Sequence, residues 1–330
     1  MVLVVAGVFG LLAVSAGIGG APGARSWISN LVAFAALALP PLGAKDPAWL
    51  SAMVALSAAF GALTIVDLNR DPAGLTLPQR VFHVFALYDT RIAVRIAPYF
   101  DGARLFELVA FQAVAVITLG GAWVVGTQTL GALALRWLLA AVFGYAAWGA
   151  LTATVLFVSH ARGVHPAPFH VRPILSRSVA EFWNRRWNRI VGAVLERTFF
   201  RPLARRRHPR LGIVATFVAS AALHTYFIAV PLGARWAAVI GAFFLLQIPL
   251  VFVERWLRVT RWSSLTRRAW TVAVLGLASP LHMEPCLQLV EPQPLLWGRA
   301  PEVGRVSQNL VVEAATVGST QHRSPRILTP

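Results

Sequence analysis

Long apolar runs separated by short polar breaks fill the first 290 residues of the chain. A bilayer-spanning helix needs about 20 mainly apolar residues. Eight stretches approach or meet that length: roughly 2–20, 28–43, 48–66, 104–126, 136–159, 211–233, 236–257 and 269–287. The second is short and holds Pro40 and Pro41, and the last is interrupted by Pro280 and Pro285, so each is a candidate for a broken or re-entrant helix. The pattern predicts an all-α, polytopic transmembrane protein of about eight membrane helices, with a membrane-embedded domain over 1–290. Residues 291–330 are polar, contain several prolines and lack a clear period, which predicts a flexible tail. The opening run MVLVVAGVFGLLAVSAGIGGA has no basic residue ahead of its apolar core, so it reads as a first membrane helix rather than a cleaved signal peptide.

Two connections are too long for simple turns. The first contains LPQRVFHVFALYDTRIAVR, with Val81, Phe82, Phe85, Leu87 and Ile92 interleaved with arginines. That mixture predicts a helix lying in the membrane interface. The second contains SRSVAEFWNRRWNRIVGAV, residues 176–194. Its Ser178 and Glu181 form a capping box that predicts a helix from Val179. Val179, Trp183, Trp187, Ile190 and Val194 would make one apolar stripe, with Glu181, Asn184, Arg185 and Asn188 opposite and Glu181 paired to Arg185. On this pattern alone the segment is an amphipathic helix with tryptophans at headgroup level and arginines on phosphates. That reading leaves the two asparagines unexplained, because asparagine is a mediocre helix former.

Composition sharpens the membrane reading. Hydrophobic residues make up 57% and charged residues 13% of the chain, against about a quarter charged in a soluble domain. Thirty basic residues face thirteen acidic ones, a formal charge of +17. The basic residues lie between apolar segments rather than on a polar domain, which argues for anionic lipid or an anionic substrate and against nucleic acid. They also alternate. Arg25 follows the first run, Arg70, Arg80, Arg91 and Arg95 the third, twelve arginines the fifth, and Arg258, Arg261, Arg267 and Arg268 the seventh. The intervening loops hold Lys45, no basic residue, and Arg235. The positive-inside rule then puts the long basic loops in the cytoplasm and both termini on the opposite side. The arginine-rich, lysine-poor usage fits a GC-rich bacterial genome and hence a bacterial inner membrane. Cys286 is the single cysteine, so neither an intrachain disulfide nor a cysteine-built metal site is available.

The histidines carry the candidate chemistry. His160, His165 and His170 are spaced by five, but Pro166 and Pro168 break helical geometry and no acidic residue is near in sequence, so no metal site is assigned. His282 and Glu284 either line an internal chamber or form a polar helix end. His224 is different: it falls about 13 residues into its apolar run, roughly 20 Å along a helix and close to the middle of a ~30 Å hydrocarbon core. An ionisable residue at that depth is functional by default, the alternative being a hydrogen bond between packed helices. Ser220, Ala221, Phe227 and Ile228 share its helix face, and Pro231 is placed to bend the helix end.

The segment FWNRRWN, residues 182–188, resembles the F-W-x-R-R-W-N signature of the wax synthase branch of the membrane-bound O-acyltransferases. In that family a membrane helix with a histidine follows, often as S-G-x-x-H-E; here ATFVASAALHTYF supplies Ser220 and His224. The resemblance is clear over about 174–233. Alanine stands where the family has glycine after the serine, and Thr225 stands where it usually has glutamate. The resemblance implies acyl transfer from acyl-CoA, as co-substrate and without another cofactor, to a long-chain alcohol or other lipid hydroxyl. It implies His224 as general base and Asn188 as the second active-site residue. It places Phe182, Trp183, Asn184, Arg185, Arg186, Trp187 and Ser220 at the substrate, with Arg185, Arg186 and Arg189 available to CoA or lipid phosphates. The run RPLARRRHPR, residues 201–210, reads as a surface anchor. A sterol, diacylglycerol or sugar hydroxyl remains an alternative acceptor. A lipid-binding or transport protein of the same fold without chemistry is the other alternative, kept open by Thr225.

Overall fold

A computed structural model of the chain describes residues 1–19, 23–43, 47–71 and 74–290. The tail 291–330 lies outside the described residues. Twelve α-helices follow in order: α1 Val2–Ile18, α2 Ala24–Ala35, α3 Ala48–Arg70, α4 Leu77–Phe85, α5 Gly102–Val124, α6 Leu130–Ala161, α7 Val179–Glu181, α8 Arg189–Leu195, α9 Arg201–Arg205, α10 Pro209–Trp256, α11 Ser264–Ala278 and α12 Pro280–Val290. Two short strands, β1 Val94–Arg95 and β2 Val164–His165, pair antiparallel with Val94 opposite His165. By length and apolarity, five helical stretches among the described residues suffice to cross a bilayer: Arg25–Gly43, Ala48–Arg70, Gly102–Val124, Leu130–Ala161 and Pro209–Trp256. The chain is an all-α polytopic membrane protein.

The predicted runs recur with instructive differences. The regular helix of the second run ends at Ala35, and the run finishes in two short 3₁₀ turns, the second of which opens with Pro40 and Pro41. The expected helices over 211–233 and 236–257 are the two arms of α10, parted at Gly233 (φ 79°, ψ −177°). That conformation is open to glycine and costly for any other residue. The break therefore falls on Gly233 rather than on Pro231, which stays inside the first arm. The last run is split at Ser279 into the 15-residue α11 and the 11-residue α12, because Pro280 has no N–H with which to continue the ladder.

Small residues let the membrane helices approach closely. The buried face of α3 is built from Ser51, Ala52, Ala55, Ala58, Ala59, Gly61 and Ala62, and Leu12 of α1 fills the space over Gly61. Val8, Leu12 and Ala16 pack there with Ala58, Ala62, Ile65 and Leu68. On its other side, α3 gives Ala52 and Ala55 to a second core with Phe227, Ile228, Ile240, Phe243 and Phe244 of α10. Helix α5 instead exposes Phe106, Val109, Val116 and Ile117, as a face turned to lipid must.

Helix starts follow local chemistry. Asp101, Thr129 and Ser263 each accept a backbone N–H three residues on and cap α5, α6 and α11. Thr76 and Gln79 form a reciprocal box at α4, an amphipathic helix that ends at Phe85, short of Leu87 and Ile92 in the stretch that predicted it. A buried ion cluster fastens the basic connections to α3. Asp67 accepts from Arg91 at 2.6 Å and Arg197 at 2.8 Å, and Asp89 from Arg91 at 2.9 Å and Arg197 at 3.1 Å. Burial works against charge here, yet Asp89 and Asp67 hold Arg91 above its ordinary value, and Arg91 and Arg197 hold Asp89 below its own. Arg91 and Arg197 are thus structural ties rather than free topology signals.

Candidate active site

The segment that drew attention in the sequence is not one helix. After the single turn of α7, residues Phe182–Arg186 form a π-helical turn closed by the Trp187 N–H on the Phe182 carbonyl at 2.8 Å. Trp187 is extended, and Asn188 takes a left-handed conformation (φ 37°, ψ 59°) before α8 begins. Such a turn brings residues five apart onto one face. Glu181 therefore pairs with Arg186 at 2.6 Å, not with Arg185 as α-helical spacing predicts. A second π turn, Glu196–Phe200, does the same with Glu196 and Arg201 at 3.2 Å.

The predicted capping box is half present. Ser178 Oγ accepts the Glu181 N–H at 2.9 Å, but the Glu181 carboxylate accepts from the N–H of Arg177 rather than of Ser178. Burial works against that carboxylate, and the Arg177 N–H and the Arg186 guanidinium nevertheless hold it below the usual range. A stronger cap comes from elsewhere. Glu254 of the second α10 arm accepts the N–H of Val179 at 2.8 and 2.9 Å, that of Ala180 at 3.4 Å, and Trp270 Nε1–H at 3.1 Å. An anion at a helix N-terminus is electrostatically favoured. This bond, 75 residues distant in sequence, fastens the signature to the membrane helix.

Trp183 carries the signature inward. Its Nε1–H donates to Gln247 Oε1 at 3.1 Å, and Gln247 is fully buried. Its ring meets Phe217, Phe243 and Phe244 at centroid distances of 6.4, 6.0 and 5.6 Å. Phe244 in turn lies stacked on His224, with centroids 3.8 Å apart and planes at 29°. Phe227, predicted to share the histidine's face, touches the same imidazole edge-on at 5.5 Å.

His224 Nδ1 lies 2.7 Å from the Ser220 carbonyl oxygen. A carbonyl only accepts, so Nδ1 must donate and Nε2 carries the lone pair. Nε2 has no hydrogen-bond partner among the described residues, which makes it a free acceptor. Ser220 thus acts on the histidine through its backbone, while its side chain is buried. Thr225, the residue after the histidine, faces the second arm instead: its hydroxyl donates to Ala237 O at 3.4 Å and occupies the space over Gly241.

The other signature residues are positioned differently from expectation. Asn188 is the N-cap of α8, its Oδ1 accepting from Val191 N–H at 3.4 Å, not a residue on the polar face of a continuous helix. No hydrogen bond or ring contact joins Asn188 to His224 among the described residues. The Arg186 guanidinium is taken up by Glu181 and by the carbonyls of Val171 and Arg172, and Arg189 reaches the Pro168 carbonyl, so both brace the loop. Asn184 and Arg185 are exposed. Phe182 stacks on Trp187 at 5.4 Å, and Trp187 meets His170 edge-on at 4.5 Å. Burial pushes His170 down to about 4. The three evenly spaced histidines do not converge: His160 bonds His165 and Asp101, each at 2.7 Å, while His170 sits between Trp148 and Trp187.

Sequence reasoning undervalued two residues. Glu254 carries no sequence signal beyond its place near the end of an apolar run, and His282, with Glu284, reads either as chamber lining or as a polar helix end. His282 of α12 lies with its ring 6.2 Å from His224 and 4.9 Å from Phe243. No local motif marks either residue, because both act across helices.

Comparison with known proteins adds to this geometry. Residues 166–246 match the membrane bound O-acyl transferase family. Over 126 residues the chain is 34% identical to a protein of Arabidopsis thaliana named "Probable long-chain-alcohol O-fatty-acyltransferase 2"; the alignment covers 35% of each chain. The matched segment therefore spans about a third of that relative's length. The family match runs from the loop ahead of the signature through Asn188 and His224 to Phe244 and beyond, so the segment that builds this site is similar to the membrane bound O-acyl transferase family.

Proposed function

We propose that this protein transfers a fatty acyl group from acyl-CoA to the hydroxyl of a hydrophobic alcohol; the Arabidopsis relative's name gives fatty acyl transfer to a long-chain alcohol for that protein. The observation that carries the reading is the His224 imidazole, with Nδ1 pinned by the Ser220 carbonyl and Nε2 left as acceptor on the stacked Phe244 ring. Nε2 takes the proton of the alcohol hydroxyl as the oxygen attacks the thioester carbonyl. The C–O bond forms, the C–S bond breaks, and the proton on Nε2 passes to the departing CoA thiolate. No covalent acyl-enzyme is needed. Phe227, Phe243 and Phe244 offer apolar contact for the chains. Asn188, whose Nδ2 group is not used in capping α8, orients a substrate from the loop side, with Trp183 linking that loop to the histidine. Exposed Arg185 is the signature arginine left for a phosphate of CoA or lipid, and Asn184 lies beside it.

The charge alternation supports placing the basic loops on the cytoplasmic side of a bacterial inner membrane, where acyl-CoA is available. A cysteine at position 206, Arg206→Cys, would then react with an impermeant thiol reagent only from the cytoplasmic face; labelling from outside alone would reverse the topology.

The activity is tested in membranes containing the protein, with labelled palmitoyl-CoA and a panel of long-chain alcohols, a sterol and diacylglycerol. Ester on the alcohols supports the reading. Ester on the sterol or diacylglycerol alone reassigns the acceptor. No product with any acceptor favours a lipid-binding role without chemistry.

A further inference from the structure

Among the described residues the His282 imidazole has no hydrogen-bond partner where one would be expected. It stands in the first turn of α12, with its ring between Phe243 at 4.9 Å and Phe244 at 5.7 Å and 6.2 Å from His224. Its Nδ1 is buried with no hydrogen-bond partner, and Nε2 has none among the described residues. A neutral imidazole always presents one N–H donor and one acceptor. Buried groups of this kind are almost always satisfied, and an exception calls for a ligand or a water.

The spacing of the two rings fits a shared occupant. Hydrogen bonds of about 2.7–3.0 Å from each ring to one or two bonded oxygens span the gap. His224 offers a lone pair at Nε2, and His282 offers an N–H. An acyl transfer needs both: an acceptor for the alcohol proton, and a donor for the thioester carbonyl oxygen as it gains negative charge. Asn188, the residue the family signature suggests, caps α8 and has no hydrogen bond to His224 among the described residues, whereas His282 meets Phe244, the ring stacked on His224.

We infer that His282 is a second catalytic residue of this site, donating an N–H hydrogen bond to the carbonyl oxygen of the acyl donor while His224 takes the alcohol proton. The inference rests on the acyl-transfer reading. The charge that develops on the carbonyl oxygen returns to the C=O bond when the thiolate leaves, so His282 ends the cycle with its proton.

The test compares wild type, His282→Phe and His282→Gln in membranes, at saturating palmitoyl-CoA and varied hexadecanol. Phenylalanine keeps the ring packing and removes the donor; glutamine keeps an N–H donor. Loss of an oxyanion donor costs on the order of 100-fold in kcat. The expected result is a kcat lower by about that factor in His282→Phe, with KM for the alcohol little changed and a partial recovery in His282→Gln. Wild-type kcat in His282→Phe would overturn the inference while leaving the acyl-transfer reading intact. Equal loss in both variants with a matching fall in melting temperature would also overturn it, by showing a packing role. Absence of ester from wild type would remove the acyl-transfer reading and this role with it.

Discussion

Phe244 lies face to face with His224, ring centroids 3.8 Å apart, and the same ring is met by Trp183 at 5.6 Å. One phenylalanine on the second arm of α10 therefore joins the signature loop to the histidine on the first arm. The arms can face each other because the chain reverses at Gly233.

The stack sets the plane of the imidazole. Phe244→Leu keeps an apolar side chain but releases the ring, and misplacement of a reacting group by about 1 Å can cost 100-fold. Ester formation should fall about 10- to 100-fold with protein abundance in the membrane unchanged. A variant with wild-type kcat would show that the stack is packing alone.

Glu181 and Arg186 should be energetically coupled because the π turn places them together at 2.6 Å. A double-mutant cycle of Glu181→Gln and Arg186→Gln, read from unfolding in detergent, should give a coupling on the order of 1 kcal/mol. The same cycle with Arg185→Gln should give none. Coupling to position 185 instead would restore the continuous α-helix.

Asn188 combines a left-handed backbone with a capping amide. Asn188→Gly accepts that backbone at little cost, whereas Asn188→Ala adds strain and loses the cap, about 1 kcal/mol or more. If the amide also orients a substrate, both variants lose most ester formation and only the alanine variant melts earlier. Full activity in Asn188→Gly would confine the residue to shaping the loop.

Burial lowers His170 from 6.5 to about 4 in the folded protein. Between those values the unfolded chain binds a proton that the folded chain does not, so stability rises with pH. The contribution is fully present above about pH 6.5 and is lost as the pH falls towards 4. Melting temperature in detergent should decline over that window, and His170→Phe should flatten the decline. His83, also lowered by burial to about 4, keeps part of it.

The membrane architecture was legible in the sequence because apolar length is a local property. Six of the runs begin and end within a few residues of their helical stretches, α6 begins six residues ahead of the fifth run, and the interrupted eighth divides at its proline. The signature loop was less legible. Its π turn satisfies the same capping serine as an α-helix, so Ser178 and Glu181 could not tell the two apart; Trp183 still joins Val179 in the core and Asn184 and Arg185 are still exposed, but the Glu181–Arg185 pair and the place of Asn188 on a continuous helix are lost. Asn188 was singled out correctly as an odd residue on a helix, since the chain uses it to leave one helix and start another. Glu254, Gln247 and His282 were hidden because their partners lie across the bundle. The half-buried arginines Arg91 and Arg197 were counted as loop charges because pairing with the buried Asp67 is not visible in one dimension.

The central claim is that His224 Nε2 removes the alcohol proton. The direct measurement is ester formation from labelled palmitoyl-CoA and hexadecanol by membranes carrying wild type, His224→Gln or His224→Ala, at matched protein levels. Loss of a general base and of its stacked position predicts a fall of at least 100-fold in kcat for both variants. Ester formation at the wild-type rate in either variant would contradict the account.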